Sequence, residues 1–285
     1  MKKYRIAGVV ILYFPPASVV NNIRSYVNGL DLLVMVDNTG KSNAQLVADL
    51  LKLEWVEYIC NDSNAGIASA LNTGASRALE NGCDFLLTMD QDSFFNGDDF
   101  QSYLKKLEVL DVATLGILSP SHDQDDKENA AALSIETDIV MTSGNLVNLE
   151  AYRKKGAFLE DLFIDHVDHE YCLRLRSGGY KIMIDSSTSL NHRLGELKHV
   201  KIMDSTVFRF ISHSPERAYY MIRNGAYVAG KYKEVFPSFF RKNLVLSLKE
   251  LVKIFFESDK IKRIRLYFLA LKHARKGRLG KLVHD

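Results

Sequence analysis

Leu86-Leu87-Thr88-Met89-Asp90-Gln91-Asp92 is the stretch that decides the fold. An apolar run ends abruptly in two acids spaced i, i+2. Read as a buried strand, it delivers two carboxylates to the carboxyl edge of a sheet, where open α/β sheets bind ligands. In extended backbone alternate side chains share a face, so both acids aim at one point. Two hard oxygen donors at one point suit Mg²⁺ or Mn²⁺ with a bound diphosphate. The same residues also suit a solvated strand-to-loop turn, because Asp is a common turn residue.

The flanking sequence repeats the strand signal. Ile6–Tyr13, Leu32–Val36, Val56–Cys60 and Phe85–Met89 are short apolar runs closed by turn chemistry. Between them, Ala17–Val27, Gln45–Leu51 and the alanine-rich Ile67–Leu79 read as helices. Alternation of this kind predicts parallel pairing and a doubly wound sheet. After residue 120 the pattern loosens. Ser121–Ala131 is polar and reads as a loop, Asp138–Thr142 as a strand, Asp168–Ser177 as a short helix, and Ile182–Ile184 and Ser189–Asn191 as extended pieces. From about Ser214 the chain reads as helical. Leu244, Leu248, Leu251, Val252 and Phe255 form one apolar stripe; Ile261, Ile264, Phe268 and Leu271 form another, among many Lys and Arg.

Bulk properties narrow the class. In 285 residues, 47% hydrophobic and 25% charged composition is that of a globular protein. Residues 201–285 hold 19 Lys/Arg and 7 Asp/Glu, a balance of +12, which leaves −10 for residues 1–200. This asymmetry suggests an acidic catalytic part and a basic part that faces an anionic partner. Cys60, Cys83 and Cys172 provide neither a disulfide framework nor a ligand-spaced zinc site, and a cytoplasmic location fits. Ile6–Tyr13 is too short for a signal peptide, and no window has eighteen uninterrupted apolar residues. The organisation expected is a catalytic domain over residues 1–213 and a basic helical extension over 214–285.

Several segments resemble one family. VVILYFPP (9–16), VDNTG (36–40), NAGIASALNTG (64–74), LLTMDQDS (86–93), TSGNLVNLEAYRKKGAFLEDLFIDHVDHEYCLR (142–174) and NHRLGE (191–196) are similar, in order and spacing, to inverting family-2 glycosyltransferases of the GT-A fold. More narrowly they resemble bacterial rhamnosyltransferases that use dTDP-L-rhamnose. The resemblance spans roughly residues 6–225. It implies an α/β fold with a mostly parallel central sheet flanked by helices, and transfer of a deoxyhexose from a dTDP-sugar or UDP-sugar donor to a glycan or lipid-linked glycan of a surface polysaccharide.

By that resemblance Asp37 meets the nucleoside, where a carboxylate accepts a hydrogen bond from a base N–H or a sugar hydroxyl; a turn aspartate bound to local amides is the alternative. Asn64 and Gly66 lie on the nucleotide side, with Asn64 also a helix cap. Gly74 reads as a close-packing residue. Asp92 and Asp90 would ligate Mg or Mn, Asp90 also reaching the ribose, and His192 is a third candidate ligand. Asp168 is implied as the general base, with a helix cap as its alternative. Ser143, Gly144, Asn145, Asp165 and Glu170 fall on the sugar or acceptor side. Glu170 also stands four residues before Arg174, the favourable order for a helical ion pair. Arg223 would clamp the diphosphate, or belong to a solvated helix face. His166 departs from the aromatic residue common at its position. The basic helices leave two partners open, a membrane surface or a second copy in a homodimer; nucleic acid is not expected. Outside the main reading stand a non-catalytic nucleotide-sugar or glycan-binding subunit and a glycoside hydrolase with paired carboxylates.

Overall fold

A computed structural model describes residues 3–122, 135–191, 197–202 and 205–282. The chain divides into two compact units, Met1–Glu160 with Asp168–Arg193, and Asp161–Val167 with Leu194–Asp285.

The first unit is built on a mixed sheet. β1 (Ile6–Leu12), β2 (Leu32–Asp37), β3 (Val56–Cys60) and β4 (Phe85–Asp90) pair in parallel, in the order β3-β2-β1-β4. Every residue of β1 and β2 is buried, which is why these strands read as continuous apolar runs rather than alternating ones. Their side chains supply two faces. Ile6, Val10 and Leu12 join one core with Ile23 of α1 (Val19–Arg24). Val9 faces α2 (Ile67–Glu80), where a Cβ on Gly74 would come within 2.4 Å of Val9 Cβ. Gly74 thus lets α2 lie close against β1.

The second half of the sheet departs from the doubly wound expectation. It includes β5 (Phe94–Phe95), α3 (Asp99–Lys106), β6 (Leu115–Ser121), β7 (Ile135–Thr137), β8 (Asn145–Asn148), α4 (Leu149–Lys155), α5 (Val167–Ser177) and β9 (Lys181–Asn191). The strand order continues β4-β8-β6-β9-β5, with β7 against β9. β8 runs antiparallel to both β4 and β6, whereas β6 and β9 are parallel. α3 adds Phe100 and Tyr103 to the same core.

Two helix and strand assignments change. Gln45–Leu51 forms turns and a single 3₁₀ turn, Leu50–Lys52. Val47 and Leu50 are its buried anchors, too few to propagate an α-helix. Asp138–Thr142 is not a strand; the edge strand is β7, just before it. The carbonyls of Met141 and Thr142 accept from the side chains of Asn145 and Thr88 instead of a ladder partner. From residue 123 on, the loop read over Ser121–Ala131 lies outside the described residues.

The second unit contains an antiparallel hairpin, β10 (Leu197–Ile202) and β11 (Ser205–Ile211), then α6 (Pro215–Tyr232), α7 (Pro237–Lys253) and α8 (Lys260–Arg275). Ser214 caps α6 by accepting from Arg217 N at 3.1 Å, with Pro215 in the first turn, where no N–H is needed. Tyr219, Tyr220 and Ile222 of α6 meet Leu266, Tyr267 and Ala270 of α8 in a core of their own. The two apolar stripes behave differently. Leu251 and Leu271 pack against this core, but Leu244, Leu248, Val252, Phe255, Ile261, Ile264 and Phe268 are exposed. Among the described residues no helix is long and apolar enough to cross a membrane.

Candidate active site

The parallel register sets the frame. Leu12 pairs with Asp37 on one side of β1, and Ile11 with Asp90 on the other. The two acids therefore end the strands that flank β1, one residue out of step with each other and about 10 Å apart across two strand spacings.

Asp37 is fully buried. Its Oδ1 accepts from Thr39 N at 2.9 Å, and its Oδ2 from the Tyr58 hydroxyl at 2.6 Å and Asn43 Nδ2 at 2.8 Å. Burial pushes this carboxyl up, but the hydrogen bonds from Thr39, Tyr58 and Asn43 together outweigh it and hold Asp37 below the usual carboxylate range. Burial and the bond to Asp37 push Tyr58 up to about 12. Here the local-amide reading of Asp37 is realised in the geometry. Its neighbour Asn38, to which the sequence reading gave no separate part, donates to Gly66 O at 3.1 Å and accepts from Asn61 Nδ2 at 2.7 Å. Asn38 thereby ties the end of β2 to the loop before α2. Gly66, at φ +90°, occupies the N-cap position itself; Asn64 Oδ1 accepts from Gly66 N at 2.9 Å, so Asn64 shapes the loop and does not cap the helix.

Gln91, between the two acids, is fastened by its side chain to Tyr13. Its Oε1 accepts from Tyr13 N at 2.8 Å and its Nε2 donates to Tyr13 O at 3.0 Å. This locks the turn after β4 to the end of β1, leaving Asp90 and Asp92 half-buried at the rim. Beside them Tyr13 and Phe14 are exposed at 47% and 67%, their rings edge-on at 4.7 Å. Sequence reading passed over these two aromatics, although YFPP right after an apolar strand is their signal.

Far-separated segments meet at Thr142 and Ser143. Asp90 N donates to Ser143 Oγ at 3.1 Å, and Thr142 Oγ1 donates to Asp168 Oδ2 at 3.3 Å. Two consecutive residues therefore join the end of β4 to the first turn of α5. Asp168 Oδ1 also accepts from His169 N at 2.8 Å, inside the first turn of α5. Gly144 makes this bridge fit. It lies at φ +85°, its N donates to Thr88 O at 2.7 Å, and a Cβ there would sit 2.6 Å from Pro120 Cγ. Ser143 and Asn145 are buried.

Other predicted positions do structural work. Glu170, 1% exposed, accepts from Arg174 Nη2 at 2.9 Å, so the helical ion pair is formed. Arg223 in the second unit is neither solvated nor open. It is 1% exposed, its Nε donates to Asn224 Oδ1, and its Nη1 and Nη2 donate to the carbonyls of Gly280 and Leu162. Tyr219 and Tyr220 stack against its guanidinium. Asn224 Nδ2 meets the carbonyls of Leu162, Ile164 and Asp165, holding a segment in which Phe163, Asp165 and His166 all take positive φ. Asp165 accepts from Arg217 at 3.4 Å. With every guanidinium nitrogen bonded inside the second unit, the geometry gives Arg223 a bracing part.

His192 lies outside the described residues, among which no group of three or more His, Cys, Asp or Glu is arranged to hold a metal. Asp90 and Asp92 supply two oxygen donors, which suit a hard divalent ion. Together with Asp168 they make this rim acidic.

A mixed sheet in which β2 and β4 end in acids and an antiparallel strand is inserted beside β4 is the GT-A glycosyltransferase architecture. A solved structure of GalNAc-T7 with UDP, GalNAc and Mn²⁺ superposes on 96% of this chain with a TM-score of 0.58 at 11% identity. The chain spans only 56% of the length of that protein. Residues 15–177 match the description "Glycosyl transferase family 2", and the chain belongs to that family. The dTDP-rhamnosyl transferase RfbF of Shigella flexneri is 29% identical over 271 residues, covering 87% of this chain and 84% of that one.

Proposed function

We propose that this protein is an inverting glycosyltransferase that moves L-rhamnose from dTDP-β-L-rhamnose to a hydroxyl of a surface-polysaccharide precursor, on the cytoplasmic side, with residues 1–213 as the catalytic domain and 214–285 as its extension. The contacts of Thr142 with Asp168 and of Ser143 with the backbone N–H of Asp90 carry this reading, because they tie a base candidate to the end of the strand that bears the acid pair. The similarity to a dTDP-rhamnosyl transferase supports the donor.

Asp168 takes the proton of the acceptor hydroxyl as that oxygen attacks the anomeric carbon, and a single displacement yields an α-L linkage. Thr142 orients the Asp168 carboxylate. Asn64 and Gly66 shape the loop facing the nucleotide, Asp37 holds the turn beneath it, and Tyr13 and Phe14 offer ring faces to the base. Asp92, Asp90 and His192 would hold Mg or Mn, which when bound offsets charge on the diphosphate. Ser143, Gly144 and Asn145 leave room for a pyranose.

Asp168→Asn tests the base. Transfer from dTDP-rhamnose is expected to fall by about 10²–10⁴-fold while dTDP affinity stays within a few-fold. Undiminished transfer would place the base elsewhere. A panel of donors separates dTDP-rhamnose from the second reading, a UDP-hexose or UDP-N-acetylhexosamine, which shares this site and is represented by the UDP-bound structural neighbour.

A further inference from the structure

We propose that the outer face of α7 and α8 is a docking surface for an anionic lipid bilayer. The inference goes beyond the transfer reading and does not rest on it.

Exposed apolar side chains are concentrated there. Among the described residues eighteen large apolar side chains are exposed, and eleven of them fall within residues 237–282. On α7, Phe240, Leu244, Leu248 and Val252 recur at four-residue steps, so they share one side of the helix. The link to α8 adds Phe255 and Phe256, at 68% and 48% exposure. On α8, Ile261, Ile264 and Phe268 continue the pattern at three- and four-residue steps. An open groove of about 1270 Å³ runs along α8, lined by Ile261 and Phe268 with Lys262, Arg265 and Lys272.

Charge selects the occupant. The acids of this region turn inward: Glu250 pairs with the buried Lys253 at 3.1 Å, and the buried Glu257 lies 3.6 Å from the buried Arg263. Each therefore neutralises a cation that is itself out of solvent. What remains outside between residues 237 and 282 is eleven exposed Lys and Arg and a single exposed acid, Asp259. Lys262 pairs with Glu216 at 2.6 Å; the rest give the face a strong positive excess. Two copies of such a face repel, and subunit interfaces are depleted in Lys. Large apolar groups interleaved with cations are instead the make-up of helices lying in a membrane interface, where the apolar groups enter the acyl boundary and Lys and Arg reach the headgroups. Among the described residues no helix is long and apolar enough to cross a membrane, and the proposed contact is a peripheral one.

Sedimentation of the full chain with vesicles tests this. Binding is expected to vesicles of phosphatidylcholine containing about one-third phosphatidylglycerol, not to phosphatidylcholine alone, and to weaken at ~0.5 M salt as screening sets in. Lys260→Gln with Arg265→Gln and Lys272→Gln should weaken binding about a hundredfold. Ile261→Glu with Phe268→Glu should abolish it, with dTDP-sugar turnover in solution unchanged in both variants. Failure of the wild type to bind anionic vesicles, or equal binding to neutral ones, overturns the proposal. So does a dimer, detected by sedimentation equilibrium, that Ile261→Glu with Phe268→Glu dissociates, since a second copy would then cover the face. If that pair impairs folding, the charge variant and the salt series still decide.

Discussion

Asp37→Asn is the most informative single substitution. The side chain keeps its shape, but a donor replaces an acceptor oxygen in a fully buried place where the Tyr58 hydroxyl, Asn43 Nδ2 and Thr39 N all donate. Opposing donors leave at least the Tyr58 hydroxyl without its acceptor, and an unsatisfied buried group costs about 1–3 kcal/mol, more where a charged partner is lost. A loss of about 3 kcal/mol is expected at neutral pH, lowering Tm by roughly 6–12 °C. The pH dependence gives a sharper check. Because the folded carboxyl is held below its unfolded value, Asp37 contributes stability that is fully present above the ordinary carboxylate range and is lost as pH falls through the folded value. Protonated Asp37 resembles Asn, so the wild-type and variant stability curves should converge on acidification. Thermal unfolding followed by circular dichroism from pH 7 to about 3 measures both effects. Parallel curves at every pH, or unchanged stability with abolished dTDP binding, would refute the anchoring argument and make Asp37 a direct ligand contact.

Gly144→Ala should destabilise by about 2–4 kcal/mol, from a non-glycine residue at φ +85° and the contact with Pro120; chemical denaturation checks this, and a neutral outcome would mean the β8 entry relaxes freely. Arg223→Ala should cost about 3–5 kcal/mol by stripping the Gly280 and Leu162 carbonyls of a buried donor, and Arg223→Lys should rescue little, because one ammonium cannot serve three separate acceptors in a planar fork. Chelation by EDTA should abolish transfer and lower dTDP affinity, with Mn²⁺ or Mg²⁺ restoring both; isothermal titration with and without metal reads it directly. Asp92→Asn should weaken that metal-dependent gain in affinity and leave the Tm within about 2 °C, as expected for a half-buried rim residue.

The two halves of the first unit differ in legibility for a physical reason. β1, β2 and β4 are buried almost throughout, so they read as unbroken apolar runs, whereas β3 at the edge is buried only at Val56. β8 is four residues, Asn145–Asn148, entered through a glycine with positive φ. It looks like a loop until β4 and β6 flank it, and its antiparallel direction comes from those neighbours. Neither α3 nor β6 follows from the strand–helix alternation; Pro120 lies within β6, where a missing N–H argues against a strand. Glu170 illustrates a local rule that succeeded, since a four-residue spacing was enough to predict its pairing with Arg174.

By itself, the order of residues determined the α/β class, the acids delivered to the end of β4, the family, and the helical character of the last seventy residues, because periodicity and short spacing are local properties of a chain. Tertiary structure alone decided that Thr142 and Ser143 tie Asp168 to the backbone at the end of β4, that Arg223 is buried as a brace, and that the apolar stripes of α7 and α8 face outward. Each of these depends on which distant segment comes to lie alongside. A helical stripe shows that one side is apolar; only the packing of α6 against α8 determines which side is left for another partner.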